Sequence, residues 1–179
     1  MRISTKRSVN AMGAKTLLLC FAMVCHAAGA EQLLFSAEEE GVKHPVSVPH
    51  EVNRILAQDP DVRDVLENEH IATDTAPSAW LLASEIHLRN SAERDLIIIG
   101  EGPLSGANVT TFWIFRPTNH GYEPLLKAPA HDMVVKKART NGYRDIELLS
   151  ATTDTVSTVL CRFRGGAYVP AAKKLEPVR

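Results

Sequence analysis

Apolar residues recur at the spacing of a helix between residues 47 and 70. Two groups of three occupy positions i, i+3 and i+4, namely Val52, Ile55 and Leu56, and then Val62, Val65 and Leu66. Pro60 separates the groups and suits the first turn of a helix, where its missing N–H is not needed. The spacing therefore predicts one or two short N-terminal helices that pack one face against a sheet.

After residue 77 the pattern changes to short apolar runs separated by turn residues. Such runs predict an antiparallel sheet or sandwich of about seven strands. Because the helices come first and the strands follow, the predicted fold class is α+β or mainly β. The segments that favour strands are Trp80–Leu88, Asp95–Gly100, Thr110–Arg116, Tyr122–Leu126, Met133–Lys137, Asp145–Ser150, Val156–Phe163 and Ala167–Val169.

One of these strands is apolar on both faces. Phe112 and Ile114 point to one side of the strand, and Trp113 and Phe115 point to the other. This pattern predicts a central strand that lies between a sheet and the helices. An exposed Trp113 would instead indicate a binding surface.

The first 30 residues have the three parts of a secretory signal peptide. Four basic residues and no acidic one flank the start of the apolar run Thr16–Val24, and small residues ending at Ala30 follow it. This order predicts cleavage near Ala30 and export to the periplasm or the exterior. The run is shorter than the roughly 20 residues of a spanning helix, so we expect no integral membrane segment after cleavage. An uncleaved anchor, or a lipoprotein modified at Cys20 or Cys25, are the alternatives.

Cleavage would change both the charge and the cysteine content. The whole chain has 20 Lys and Arg against 21 Asp and Glu, and the leader carries four of the basic residues, so the mature net charge is −5. An acidic chain is a poor ligand for nucleic acid, which leaves a protein as the expected partner. Only Cys161 remains, so no intramolecular disulfide is expected. Its apolar neighbours favour a structural role over a reactive thiol.

The mature chain is long enough for one domain with its own core. Residues 31–46 mix charged and small residues without a clear period, and we interpret them as an N-terminal tether or a first short strand. Residues 47–179 are predicted to form a single globular domain.

Two stretches share one pattern at an offset of 46 to 51 residues. Each begins with a polar turn, at Asn90 or Asn141, and passes through an Arg-Asp pair, ending at Asp95 or Asp145, into an apolar strand. A second strand containing Phe-Arg follows, and then a Gly turn and Tyr-x-Pro. A repeat of this length predicts duplicated β-hairpins.

The stretches 90–99 and 141–149 resemble degenerate FG-GAP and VCBS repeats, which place a polar loop before an apolar strand. In that family the loop carries several alternating Asp or Asn residues that bind calcium. The loop positions here hold Ser91, Ala92, Glu93, Gly142 and Tyr143. Calcium prefers six to eight oxygen ligands, so we expect no metal and no cofactor. Asp95 and Asp145 are instead predicted to accept hydrogen bonds from loop N–H groups and fix the turns.

The loop Gly100–Asn108 contains three glycines after a predicted strand. Their spacing differs from that of a dinucleotide-binding loop, and a strand follows where such a site needs a helix N-terminus. We therefore predict a flexible hairpin loop that is available for binding. Its candidate binding residues are Glu101, Ser105 and Asn108.

The sequence leaves three functions open. The first is a small exported binding domain, such as an inhibitor of an envelope or cell-wall enzyme. The second is a hydrolase whose site comes together only in the fold, from Glu101, His120, His131 and Asp132. The third is a structural module of the envelope. The sequence assigns no enzymatic activity, because its histidines have no close catalytic or metal-binding spacing.

Overall fold

The computed structural model describes residues 32–38, 41–72, 74–90 and 92–178. The predicted signal peptide, residues 1–30, lies outside these ranges. The elements are β1 (Leu33–Ser36), α1 (His50–Ala57), α2 (Pro60–Asn68), β2 (Leu81–Ile86), β3 (Asp95–Gly100), β4 (Thr110–Thr118), β5 (Gly121–Ala130), β6 (Asp132–Thr140), β7 (Tyr143–Ala151), β8 (Thr155–Arg164) and β9 (Ala167–Pro177), with 3₁₀ turns at Ser78–Trp80 and Gly102–Leu104.

The strands form two antiparallel sheets. One has five strands in the order β1-β6-β7-β8-β9, and the other has four in the order β2-β3-β4-β5. The predicted α+β or mainly-β class is confirmed. The described residues contain nine strands rather than about seven, because every predicted segment forms a strand and Leu33–Ser36 adds another. That segment was interpreted as a tether or a strand, and here it pairs with β6 and buries Phe35.

The four-stranded sheet is covered on both faces. One face packs against the five-stranded sheet and the other packs against α1 and α2. β4 sends alternate side chains into both layers, as predicted, and β3 does the same. Ile97, Ile99, Phe112 and Ile114 enter the core between the sheets. Leu96, Ile98, Trp113 and Phe115 enter the core beneath the helices. Trp113 is buried and does not form an exposed binding surface.

The two helices form along the predicted apolar face. Val52 and Leu56 of α1 and Val62 and Leu66 of α2 are buried against the sheet. The side chain of Asn53 ties α1 to the following loop, because its amide bonds both the N–H and the C=O of Ala76, at 2.7 and 2.9 Å. Neither helix, nor any other in the described ranges, has the length and apolar character needed to cross a membrane.

One aspartate joins the helices to the sheet. Asp59 is the N-cap of α2, where its Oδ1 accepts the N–H of Asp61 at 3.0 Å. The same oxygen lies 2.7 Å from Nζ of Lys127 on β5, and Oδ2 accepts Nε1 of Trp113 at 3.4 Å. Lys127 also contacts Asp61 at 2.7 Å. The Asp59 carboxylate therefore bonds the first turn of α2, Lys127 on the edge strand β5 and the buried indole of Trp113.

The repeated pattern corresponds to two three-stranded meanders, β3-β4-β5 and β7-β8-β9. Equivalent pairs are Leu96–Phe115 and Ile146–Cys161, followed by Phe115–Pro124 and Cys161–Pro170. In each meander the register shifts beside the proline of Tyr-x-Pro, which is where a β-bulge tolerates a missing N–H. The two meanders lie in different sheets of the sandwich.

We predict that Asp59→Ala lowers the free energy of unfolding by about 1–3 kcal/mol, because it removes an N-cap and the bond to a buried indole. Asp61→Ala removes only an exposed ion-pair partner and should cost at most about 1 kcal/mol. Urea unfolding of both variants measures the difference. Equal losses would show that Lys127 pairing alone accounts for the effect.

Candidate functional site

The four turns that follow β2, β4, β6 and β8 meet at one end of the sandwich, which we call the turn end. The guanidinium of Arg139 donates to the carbonyls of Leu88 and Gly142, at 2.6 and 3.0 Å, and so links the β2–β3 loop to the β6–β7 turn. Arg116, near the end of β4, bonds the hydroxyl of Tyr143 on β7. The turns of the two sheets are therefore bonded to each other.

Asn90 and Asn141 both shape turns at this end. Asn90 Oδ1 accepts the N–H groups of Ala92 and Glu93, at 2.9 and 3.1 Å, which is an Asx turn. Asn141 and Gly142 have φ of 52° and 83° and form the tight Asn-Gly turn of the β6–β7 hairpin. Asn141 Nδ2 also donates to the Phe163 carbonyl at 2.8 Å.

The two repeated aspartates are buried but have different partners. Asp95 Oδ2 accepts the N–H of Leu88 at 3.1 Å, which is the type of loop contact predicted for it. Asp145 lies on the outer face of the five-stranded sheet, where its Oδ2 is 3.7 Å from Nε of Arg162. The other oxygen of each carboxylate makes no hydrogen bond within the described part of the chain. Burial raises the pKa of Asp95 above its ordinary value.

Three aromatic rings fill the interior of the turn end. Tyr143 stacks on Phe163 with ring centroids 3.7 Å apart, and Tyr168 packs edge-on against both rings. The Tyr168 hydroxyl donates to the buried carbonyl of Arg144 at 2.7 Å. Burial is the main cause that raises the pKa of Tyr168, and Asp95 adds to it. Burial therefore keeps the Tyr168 hydroxyl protonated, and it acts as a hydrogen-bond donor.

Two arginines cover these rings from the solvent side. The guanidinium carbons of Arg89 and Arg116 lie 5.4 and 5.9 Å from the centroid of the Tyr143 ring, within the range of cation–π contacts. Each arginine also pairs with a glutamate, Arg89 with Glu93 and Arg116 with Glu123. Because both guanidinium groups are already engaged, the arrangement is well suited to hold the turns together.

The arginines of this cluster are not among the site residues predicted from the sequence. Arg116 belongs to the repeated Phe-Arg pattern, which by itself does not indicate its contacts. The available signal was the alternation of arginine and aromatic residues in both units, because Arg is favoured for stacking on aromatic rings. Only the sandwich brings Arg116 of one sheet over Tyr143 of the other.

The predicted binding loop lies at the opposite end of β4. It contains the 3₁₀ turn Gly102–Leu104, and it is braced at both ends. The N–H of Glu101 donates to the Trp80 carbonyl at 2.8 Å, and the Thr110 hydroxyl donates to the Gly100 carbonyl. The N–H of Gly106 donates to the Val109 carbonyl at 2.7 Å and closes the tip. We call residues 100–109 the braced loop. These contacts restrain the ends and the tip of a loop that the sequence predicts to be flexible.

The three candidate binding residues occupy different parts of the braced loop. Asn108 is exposed at the tip. Ser105 is half-buried, and its hydroxyl donates to the Gly102 carbonyl at 2.9 Å. Glu101 is half-buried at the base, and this burial raises the pKa of its carboxyl. Asn108 is therefore the most exposed of the three.

The braced loop is longer than its counterpart in the second meander. Between the equivalent pairs Ile99–Phe112 and Leu149–Thr158 the first connection spans 12 residues and the second spans 8. The extra four residues build the 3₁₀ turn and the tip. Half-buried Leu104 anchors the insertion in the core beneath the helices.

The residues proposed for a hydrolase do not meet at one place. Glu101 precedes β4 and His120 follows it, so the nine-residue strand separates them. His131 Nδ1 lies 3.1 Å from Asp132 Oδ1, and its Nε2 lies 3.3 Å from Glu38 Oε1. Hydrogen bonds to Glu38 and Asp132 raise the pKa of His131. Both ring nitrogens therefore contact carboxylates at the junction of β1 and β6.

Neither Cys161 nor the metal-binding residue types of the described ranges form a reactive or metal-binding site. Cys161 is a free, buried cysteine in the core between the sheets, and burial raises the pKa of its thiol. A raised pKa and lack of access both disfavour the nucleophilic thiolate. Within the described ranges, no group of three or more His, Cys, Asp or Glu side chains is arranged to hold a metal ion.

No protein-family profile, no curated protein and no solved structure matches this chain.

We predict that Tyr168→Phe lowers the free energy of unfolding by about 1 kcal/mol, because it removes a buried hydrogen bond without changing the packing volume. Tyr122→Phe is the matched control, since the Tyr122 ring also packs in a core but its hydroxyl bonds no described residue. Chemical denaturation compares the two. Equal losses of unfolding free energy in the two variants would contradict a stabilising hydrogen bond from the Tyr168 hydroxyl.

The raised pKa of His131 makes one part of the stability depend on pH. The folded state binds the imidazolium proton more tightly than the unfolded state, whose pKa is near 6.5. The contribution is therefore complete below pH 6.5 and is lost as the pH rises through the higher folded pKa. We expect His131→Gln to be destabilising at about pH 5.5 and nearly neutral at about pH 8.5.

Urea unfolding at the two pH values measures this difference. Asp132→Asn should weaken the same pH dependence, because it removes one of the two carboxylates that hold the proton. An equal loss of stability at both pH values in His131→Gln would contradict the assignment.

Proposed function

We propose that this chain is an exported binding domain that recognises a protein through the braced loop, and that its partner is an enzyme of the envelope or cell wall, which it inhibits. Export rests on the leader at residues 1–30. The observation that carries the binding proposal is the braced loop itself, a four-residue expansion of a repeated hairpin whose ends and tip are closed by hydrogen bonds.

The braced loop has the properties of a preorganised recognition element. A loop that is rigid before binding loses little conformational entropy on association, which improves affinity without further contacts. The contacts of Glu101, Gly106 and Thr110 supply this rigidity. The four-stranded sheet behind the loop is buried on both faces and provides a stiff base. Binding loops on rigid scaffolds commonly have this arrangement.

The surroundings of the braced loop favour a basic partner. Helix α2 packs against the 3₁₀ turn of the loop. The solvent-exposed side of α2 and its C-terminal turn carry four acids, Asp61, Asp64, Glu67 and Glu69. The basic groups beside them are Arg63 of the same helix and Lys127 of β5, which pairs with Asp61. Arg63 itself lies 3.8 Å from Glu67. Complementary charge of this kind accelerates association and selects among partners.

The experiment is a pull-down from envelope extract with the exported chain tagged after Arg179. We compare the unchanged chain with Asn108→Arg and with Asn119→Arg. Both substitutions replace an exposed asparagine with arginine, but residue 119 lies in the β4–β5 turn at the opposite end of β4. The partner should be retained by the unchanged chain and by Asn119→Arg. Its affinity for Asn108→Arg should fall by about tenfold or more.

Two further measurements follow once a protein is enriched. Association should slow as the salt concentration rises, because the acidic surface is screened. If the enriched protein is an enzyme, the unchanged chain should lower its activity. The proposal is overturned if no protein is enriched, or if Asn108→Arg and Asn119→Arg bind equally well. Equal binding of the two variants would favour a structural role in the envelope.

A further inference from the structure

The outer edge of β9 is open in the structure. β9 closes the five-stranded sheet and pairs with β8, and no residue of the described ranges pairs with its other side. Residues 170–178 are exposed. Leu175 and Val178, at 61 and 50% exposure, are two of the three most exposed large apolar side chains in the described part of the chain. An open edge of this length is a template for another strand.

The direction of each backbone group on this edge follows from one hydrogen bond. The N–H of Val178 donates to the Asp154 carbonyl, towards β8, at 2.9 Å. Because the direction alternates along an antiparallel strand, the N–H groups of Lys173 and Leu175 point to the open edge. Pro177 also falls at an outward position, where its missing N–H costs no bond to β8. Its carbonyl remains available as an acceptor.

The side chains on β9 are self-complementary in charge. Lys174 and Glu176 share one face of the sheet, with Nζ 2.9 Å from Oε1. Leu175 lies between them and points to the other face. If two copies of β9 pair antiparallel about a two-fold axis through Leu175, Lys174 of each copy lies directly opposite Glu176 of the other.

From this pattern we propose that two copies of this chain associate through β9 and join their five-stranded sheets into one. In this register the two Leu175 backbones exchange a pair of hydrogen bonds, and their side chains meet on the face opposite the charges. The N–H of each Lys173 donates to the Pro177 carbonyl of the other copy. The contact does not involve the braced loop.

The charges select this register over its neighbours. An axis through Lys174 would place the two lysines opposite each other, and an axis through Glu176 would do the same for the two glutamates. Like charges directly opposite on a sheet are destabilising. Edge lysines and prolines often prevent strand pairing, but here Lys174 gains an opposite charge and Pro177 keeps its acceptor. The contact is smaller than the roughly 1,200 Å² of a standard interface, so the dimer should be weak and concentration-dependent.

Sedimentation velocity over a concentration series, up to about 500 µM, tests the dimer. The unchanged chain should shift from monomer to dimer. Lys174→Glu alone and Glu176→Lys alone should each remain monomeric, because each places like charges opposite one another twice. The double variant Lys174→Glu/Glu176→Lys should dimerise again.

A mixture of the two single variants gives the most specific result. The chain with two acids and the chain with two lysines complement each other at both positions, so they should form a heterodimer although neither associates with itself. Lys173→Glu is the matched control, since it makes the same charge change on the other face, opposite a proline, and should still dimerise. Circular dichroism and thermal unfolding confirm that each variant is folded.

The proposal is overturned if the unchanged chain stays monomeric throughout the series. It is also overturned if the chain dimerises and the mixed single variants fail to pair, which would place the interface elsewhere. Because Asn108 lies on the other sheet, Asn108→Arg should leave self-association unchanged. Failure of the loop proposal and failure of this one are therefore distinguishable.

Discussion

The structure depends on the burial of the four-stranded sheet on both faces. Its central strands β3 and β4 contribute eight large apolar side chains, four to each layer, and each such side chain contributes about 1.5–3 kcal/mol when it is withdrawn from water. Neither layer can be removed without exposing one of these faces. The helices cover one face, the five-stranded sheet covers the other, and Asp59 connects the helix start to Trp113 and Lys127 of the buried sheet.

The two ends of the sandwich differ in how their polar groups are bonded. At the turn end, Arg139 and the Arg116–Tyr143 contact bond the turns of the two sheets together, and Tyr168 adds a hydrogen bond within the five-stranded sheet. At the other end of β4, the same meander is expanded by the braced loop. Arg89, Arg116 and Arg139 are engaged by protein groups at the turn end, whereas Asn108 is exposed at the tip of the braced loop. This contrast supports the proposal that the braced loop is the recognition element.

The two meanders also show how one sequence pattern is used in two environments. Leu96 and Ile146 hold equivalent positions, but Leu96 faces the helices and Ile146 faces the opposing sheet. The outer face that remains on the five-stranded sheet explains the position of Asp145 beside Arg162, while Asp95 is enclosed within the sandwich. The resemblance of these stretches to FG-GAP and VCBS repeats stays a prediction.

Local pattern predicts the positions of most helices and strands but not their lengths: β9 is expected at Ala167–Val169 and spans Ala167–Pro177. Spacing of three and four residues predicts α1 and α2, and short apolar runs between turn residues predict β2 to β9. The run at Phe112–Phe115, which is apolar on both faces, indicates the central strand. These patterns are properties of the chain itself. Asn90 and Asn141 could likewise be recognised as turn residues from their own chemistry.

Contacts between distant segments could be decided only by the tertiary structure. Residues that are far apart in the chain meet in three places. β1 pairs with β6, Arg116 stacks over Tyr143, and the N–H of Glu101 bonds the Trp80 carbonyl. No local period encodes these distances. For the same reason, the sequence could name Glu101, His120, His131 and Asp132 as candidates but could not show that β4 separates the first two. The sequence therefore determined the elements and their apolar faces, and the packing of two sheets decided which polar groups meet.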